Sequence, residues 1–163
     1  GVFADLYTVS LERERMEQRV GAMASVLSYQ STLTQQGLQG LQDTVMPENN
    51  NHHYQMLISN VKQNGEVYWQ LSRGNTTDLC GENIAVPGMQ WPADLPERDT
   101  DKGSDNISMI VVEMCRQGSD VSLLGGLSLS GLLGASTTQR VADGVITLDK
   151  TLAQEAGLGE EGQ

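Results

Sequence analysis

The chain is poor in the residues that most often carry chemistry. It has two histidines and two cysteines in 163 residues, and ten Lys and Arg stand against 21 Asp and Glu. Nucleic-acid affinity rests on clustered Lys and Arg that neutralise phosphates. Here the bases are scattered singly or in twos through a chain of formal charge −11. That balance excludes a nucleic-acid partner and argues equally against binding to an anionic membrane surface. No apolar run approaches the ~20 residues that span a bilayer. Cysteine metal sites use close pairs of the C-x-x-C kind, and Cys80 and Cys115 stand far apart. His52 and His53 are adjacent in a polar loop with no third ligand in register, which reads as a pair of solvent-exposed side chains. No G-x-S-x-G elbow is present for a serine nucleophile. The Gly- and Leu-rich stretch 123–134 lacks the Lys and Ser or Thr of a phosphate-cradling loop and reads as a surface excursion with buried leucines.

Aromatic residues are also few: one Phe, four Tyr and two Trp. Aliphatic side chains and seven methionines must therefore fill the core, giving an adaptable packing. A mass of 17.6 kDa fits one domain. Apolar residues at 38%, with 18 glycines besides, exclude wholesale disorder.

What is present begins with a helical pattern over residues 2–29. Leu6, Val9, Met16, Val20, Met23 and Leu27 recur at three- and four-residue steps, while Glu12, Arg13, Glu14, Arg15, Glu17 and Arg19 form a charged side. A helix of that length is about 42 Å long, more than a domain of this size needs to cover its core, so the start carrying Val2, Phe3, Leu6 and Val9 is expected to overhang. The pattern opens without a cap, which leads us to expect a preceding segment. It breaks near residue 31, and Thr34 is placed as the N-cap of a short second helix through Leu38, Leu41 and Val45.

The second half changes period. Tyr54, Met56 and Ile58 alternate, Asn64-Gly65 marks a tight turn, and Val67, Trp69 and Leu71 alternate beyond it, which predicts a hairpin. Residues 73–106 hold three of the four prolines and read as a long loop. Residues 107–115 are apolar on both faces and predict a central strand, 141–148 return to a strand pattern, and 154–163 read as a frayed tail. Three segments follow: a helical one (1–46), a sheet domain (47–153) and the tail. The predicted class is α+β, with the long helix packed on an antiparallel sheet through Met16, Val20, Met23, Leu27, Trp69 and Val111.

An even cysteine count in an acidic, Asn- and Gly-rich chain favours one disulfide, Cys80–Cys115, in an oxidising compartment over two buried thiols. It would pin the long loop to the end of the central strand. Glu113 interrupts that strand, and the simpler expectation is a glutamate at a sheet edge or facing solvent on one side. The alternative is a carboxylate whose pKa burial raises, with an ion pair to Arg116, Arg140 or an arginine of the first helix as its special role. Asp99, Asp101 and Asp105 fall on alternate residues, as calcium ligands do, although Gly103, Ser104 and Lys102 depart from the calcium-loop pattern, so a polar turn is the simpler expectation. No other cofactor is implied.

The assembled pattern resembles the pilins and pseudopilins, and within them the TadE/TadF-like minor pseudopilins of the tight-adherence (Flp) type IV pilus system. The resemblance rests on Phe3-Ala4-Asp5-Leu6 running into Ser10-Leu11-Glu12-Arg13-Glu14-Arg15. It continues in Leu33-Thr34-Gln35-Gln36, in Val67-Tyr68-Trp69 and in Val111-Val112-Glu113. It implies a non-enzymatic assembly or initiation subunit, anchored in the bacterial inner membrane by a segment upstream of Val2, with its domain in the periplasm or in an extracellular filament. The implied partners are other pilin subunits and the assembly machinery, met through Val2, Phe3, Leu6 and Val9, a stripe that could also pair two copies of this chain. The alternative is a secreted or surface adhesion module that recognises a ligand through loop 73–106.

Overall fold

The computed structural model describes residues 2–47, 53–95, 107–121, 123, 127, 129 and 131–159. The calcium-like aspartates Asp99, Asp101 and Asp105, and His52, lie outside them. In chain order the elements are α1 (Val2–Leu27), β1 (Thr32–Leu33), α2 (Gln35–Val45), β2 (Tyr54–Lys62), β3 (Val67–Gly74), β4 (Ser108–Gln117), β5 (Leu132–Arg140), β6 (Thr147–Leu148) and α3 (Lys150–Glu155). β2 to β5 form an antiparallel sheet in the order β3-β2-β4-β5, and β1 pairs with β6 in a separate parallel two-stranded sheet. The class is α+β, with a long N-terminal helix on an antiparallel sheet.

Side-chain parity divides the sheet into two faces. Met56, Ile58, Trp69, Leu71, Ile110, Val112 and Met114 meet Met16, Val20, Met23, Ala24 and Leu27 of α1 in the main core. Val111 belongs elsewhere. It is buried on the opposite face with Val61, Val67, Ala85, Trp91, Leu95 and Met109. Because β4 is apolar on both faces, the sequence pattern there carries no signal of which face a residue takes.

Buried polar side chains tie the connections to the sheet. Asn60 Nδ2 donates to Ser108 Oγ at 2.7 Å and to Met109 O at 3.1 Å, and its Oδ1 accepts from Ile146 N. Trp69 Nε1 donates to Ile146 O at 2.9 Å. These bonds hold a turn at 142–144 where a longer strand was expected; only Thr147 and Leu148 of the 141–148 segment are strand. Conversely, β5 occupies a stretch whose first residues fell in the expected surface excursion.

The helix ends share one cap. Thr34 Oγ1 accepts from Gly37 N at the start of α2, while the Asp149 carboxylate accepts from both Gln35 N and Leu152 N, each at 2.8 Å. Satisfying the first N–H groups of two helices with one side chain fixes them together. In consequence residues 154–159 are not a frayed tail: α3 runs to Glu155, Leu152, Ala153 and Ala156 are buried, and Glu155 pairs with Arg73 at 2.6 Å.

Candidate functional site

Two places stand out: the start of α1 and the surroundings of the disulfide. Along α1 the inward stripe runs Asp5, Val9, Glu12, Met16, Val20, Met23 and Leu27, at the steps that keep one helix face on the sheet. Glu12 is the hinge between the two parts of this stripe. One carboxylate oxygen forms an ion pair with Arg116 of β4, and the other lies 3.9 Å from Arg15.

Beyond Glu12, towards the N-terminus, the helix meets the Leu-rich segment, with Val9, Leu123 and Leu129 packed at the margin of the main core. Val2, Asp5, Leu6 and Val9 line an apolar hollow of about 150 Å³ together with Leu123, Leu127 and Leu129. Val9 is therefore half-buried and packed, and Asp5 is buried, so the expected overhang is confined to the outward residues. Phe3 is 88% exposed, and Val2, Leu6 and Tyr7 are exposed beside it. Leu127, also exposed, adds to the apolar surface at this end. A group of large exposed apolar side chains around a shallow hollow is the usual mark of a protein contact. Tyr7, Leu123, Leu127 and Leu129 were absent from the interface expected from sequence; helical spacing from Phe3 was the available signal for Tyr7.

At the other place, Cys80 and Cys115 form a disulfide. Both are buried with Leu57, on the sheet face opposite α1. The bond pins the segment after β3 to the last turns of β4, as expected. Gln55 reinforces it, accepting from Cys80 N at 2.9 Å and donating to Ser72 Oγ, while Gln70 donates to Asn83 O and accepts from Ala85 N.

Glu113 lies on this same face of an inner strand, half-buried, and Asn83 rather than an arginine meets it. Its Oε2 accepts from Asn83 Nδ2 at 2.8 Å and its buried Oε1 has no hydrogen-bond partner among the described residues. Odd-numbered residues of β4 face away from α1, so no arginine of that helix can reach Glu113. Arg116, of opposite parity, points at the helix and finds Glu12. Burial pushes the Glu113 carboxyl up from the ordinary carboxylate value, Asn83 partly offsets this, and nearby Glu82 adds to the rise. Both sulfurs and the Glu113 carboxylate lie within 4.8 Å of one another. With the sulfurs bonded to each other, the thiolates that a metal would require are not available.

His53 is exposed, and its backbone N–H donates to Asp120 Oδ2 at 2.8 Å with Nδ1 at 3.1 Å from the same oxygen. The backbone bond is the main cause holding the Asp120 carboxyl below its ordinary value. Comparison with family models, with curated proteins and with solved structures finds no match. Among the described residues no helix is long and apolar enough to cross a membrane.

Proposed function

We propose that this chain is the periplasmic domain of a membrane-anchored minor pilin or pseudopilin of the TadE/TadF-like kind. It acts as a non-enzymatic subunit in assembly or initiation of a tight-adherence pilus or related filament. The observation that supports this most is the division of α1 at Glu12. Its later turns are buried against the sheet, whereas Val2, Phe3, Leu6 and Tyr7 present an apolar surface to the outside. A long amphipathic helix that exceeds its own domain's core has surface left for neighbouring helices. The α+β arrangement and the disulfide agree with an extracytoplasmic subunit.

In this reading the anchor precedes Val2 and the stripe packs on other subunits of the filament. A photo-cross-linking residue introduced at Phe3 in the full-length protein, in the cell that makes it, should capture a pilin-type subunit identified by mass spectrometry. The same residue at Glu14, on the solvated side of α1, should not. Equal capture from both positions, or none from Phe3, would refute the assignment.

A second reading is favoured by the loop after β3, where Ile84, Val86 and Met89 are exposed on a segment anchored by the disulfide and by Gln70. A ligand-binding or adhesive surface there would make Val86→Asp and Met89→Asp the damaging substitutions and leave Phe3→Asp silent.

A further inference from the structure

The two edges of the main sheet are treated differently. The start of β3 is covered: Val67 N donates to Met89 O, Gly88 N to Val67 O and Trp91 N to Gly65 O, and the β2–β3 register shifts at Asn60/Val61. Bulges and covering segments are how proteins keep an edge from pairing with another chain. Among the described residues β5 has neither device. It pairs with β4 in unbroken register from Met109↔Arg140 to Gln117↔Leu132, with no proline and a single charge, Arg140, at one end.

The register also shows which backbone groups are open. Val141 N bonds to Ser108 O and Gly118 N to Gly131 O, so odd-numbered residues of this stretch direct their backbone groups at β4. The even-numbered ones, Leu132, Gly134, Ser136, Thr138 and Arg140, direct N–H and C=O outward, and none of these groups has a partner among the described residues. Their side chains lie on the face away from α1.

We infer that β5 is a pairing edge for the β5 of a second copy, joining two four-stranded sheets antiparallel about Ser136 into one. In that register Leu132 stands opposite the partner's Arg140, Gly134 opposite the partner's Thr138, and Ser136 opposite the partner's Ser136. No like charges meet. Each facing pair exchanges two backbone hydrogen bonds, so every outward group of the strand is satisfied. Charge points to the same occupant. A chain of net charge −11 repels itself over most of its surface, yet positions 121–142 contain no acidic residue at all. Along this edge two copies can approach without an acidic side chain on either pairing strand.

The inference does not rest on the filament reading, because it uses no residue of the α1 stripe. The test is sedimentation velocity of the chain over a dilution series, combined with amide hydrogen exchange. A dimer should form as concentration rises. With it, the amides of Leu132, Gly134, Ser136, Thr138 and Arg140 should become protected in alternation with those of 133, 135, 137 and 139, which β4 already protects at all concentrations. Ser136→Lys, at an exposed side chain, and Thr138→Lys, at a half-buried one, both on the face away from α1, should abolish the dimer with the melting temperature retained, while Phe3→Asp leaves it intact. A monomer at every concentration, a dimer without new protection at the even positions, or a dimer that survives both lysines or is lost in Phe3→Asp would overturn the inference.

Discussion

Arg116 on β4 and Glu12 on α1 form an ion pair whose side chains are 8% and 12% exposed, tying the helix to the sheet on the N-terminal side of its fully buried stripe. Arg116 Nε is buried without a hydrogen-bond partner among the described residues, and Glu12 is the carboxylate in direct ion-pair contact with the guanidinium. Replacing Glu12 by Ala strands a buried charge and is expected to cost about 3–5 kcal/mol, measured by urea unfolding. The double replacement Glu12→Leu with Arg116→Met should cost much less, since two apolar side chains replace two desolvated charges. A single variant as stable as the native chain would show that water already solvates Arg116.

The Cys80–Cys115 bond closes a segment of 35-residue separation. On the chain-entropy model its reduction should remove about 4 kcal/mol of stability. Thiol titration of the unfolded, unreduced chain should find no free thiol, and reduction should shift the urea midpoint down. Two reactive thiols before reduction would contradict the bond.

Glu113 gives a pH dependence whose sign follows from burial. A carboxyl with a raised folded pKa favours its protonated form in the native state. Its contribution is therefore fully present below the ordinary carboxylate value and is lost as pH rises through the folded value. Glu113→Gln, which keeps an acceptor for Asn83, should raise the melting temperature at neutral pH. That gain should shrink as the pH is lowered into the ordinary carboxylate range. A constant difference at all pH values would assign the effect to packing.

The helix stripe and the hairpin were legible because periodicity and turn chemistry coincide with burial. Met16, Val20, Met23 and Leu27 are all buried, and Gly65 takes the positive φ of 93° that its Asn-Gly turn requires. β5 was not legible. Its Gly134, Ala135, Ser136, Thr137 and Thr138 are small and only one face meets the core, so no alternation of large apolar residues survives. α3 was missed for a related reason: in so short a helix the signal is Asp149 as a cap, and that side chain's second duty, on Gln35, is a tertiary fact. At the candidate site the exposed Phe3 and Leu6 were legible from helical spacing. The inward turn of Val9 depends on leucines more than a hundred positions away and was not.

Leu27 is fully buried where α1 ends against the sheet. Leu27→Ala should cost about 2–5 kcal/mol in chemical unfolding, as large-to-small core truncations do. Phe3→Ala, at a side chain that is 88% exposed, should be within experimental error of the native chain. Equal losses from the two would mean that the start of α1 is as much a part of the core as its end.

The central claim, that the outward start of α1 is a surface for other filament subunits, is tested most directly by Phe3→Asp combined with Leu6→Asp. Two quantities are measured on the same variant: co-purification with a pilin-type partner from the native cell, and the melting temperature of the isolated domain. The account expects partner recovery to be lost and the melting temperature to stay close to that of the native chain. Recovery that survives both substitutions, or loss accompanied by unfolding, would contradict it.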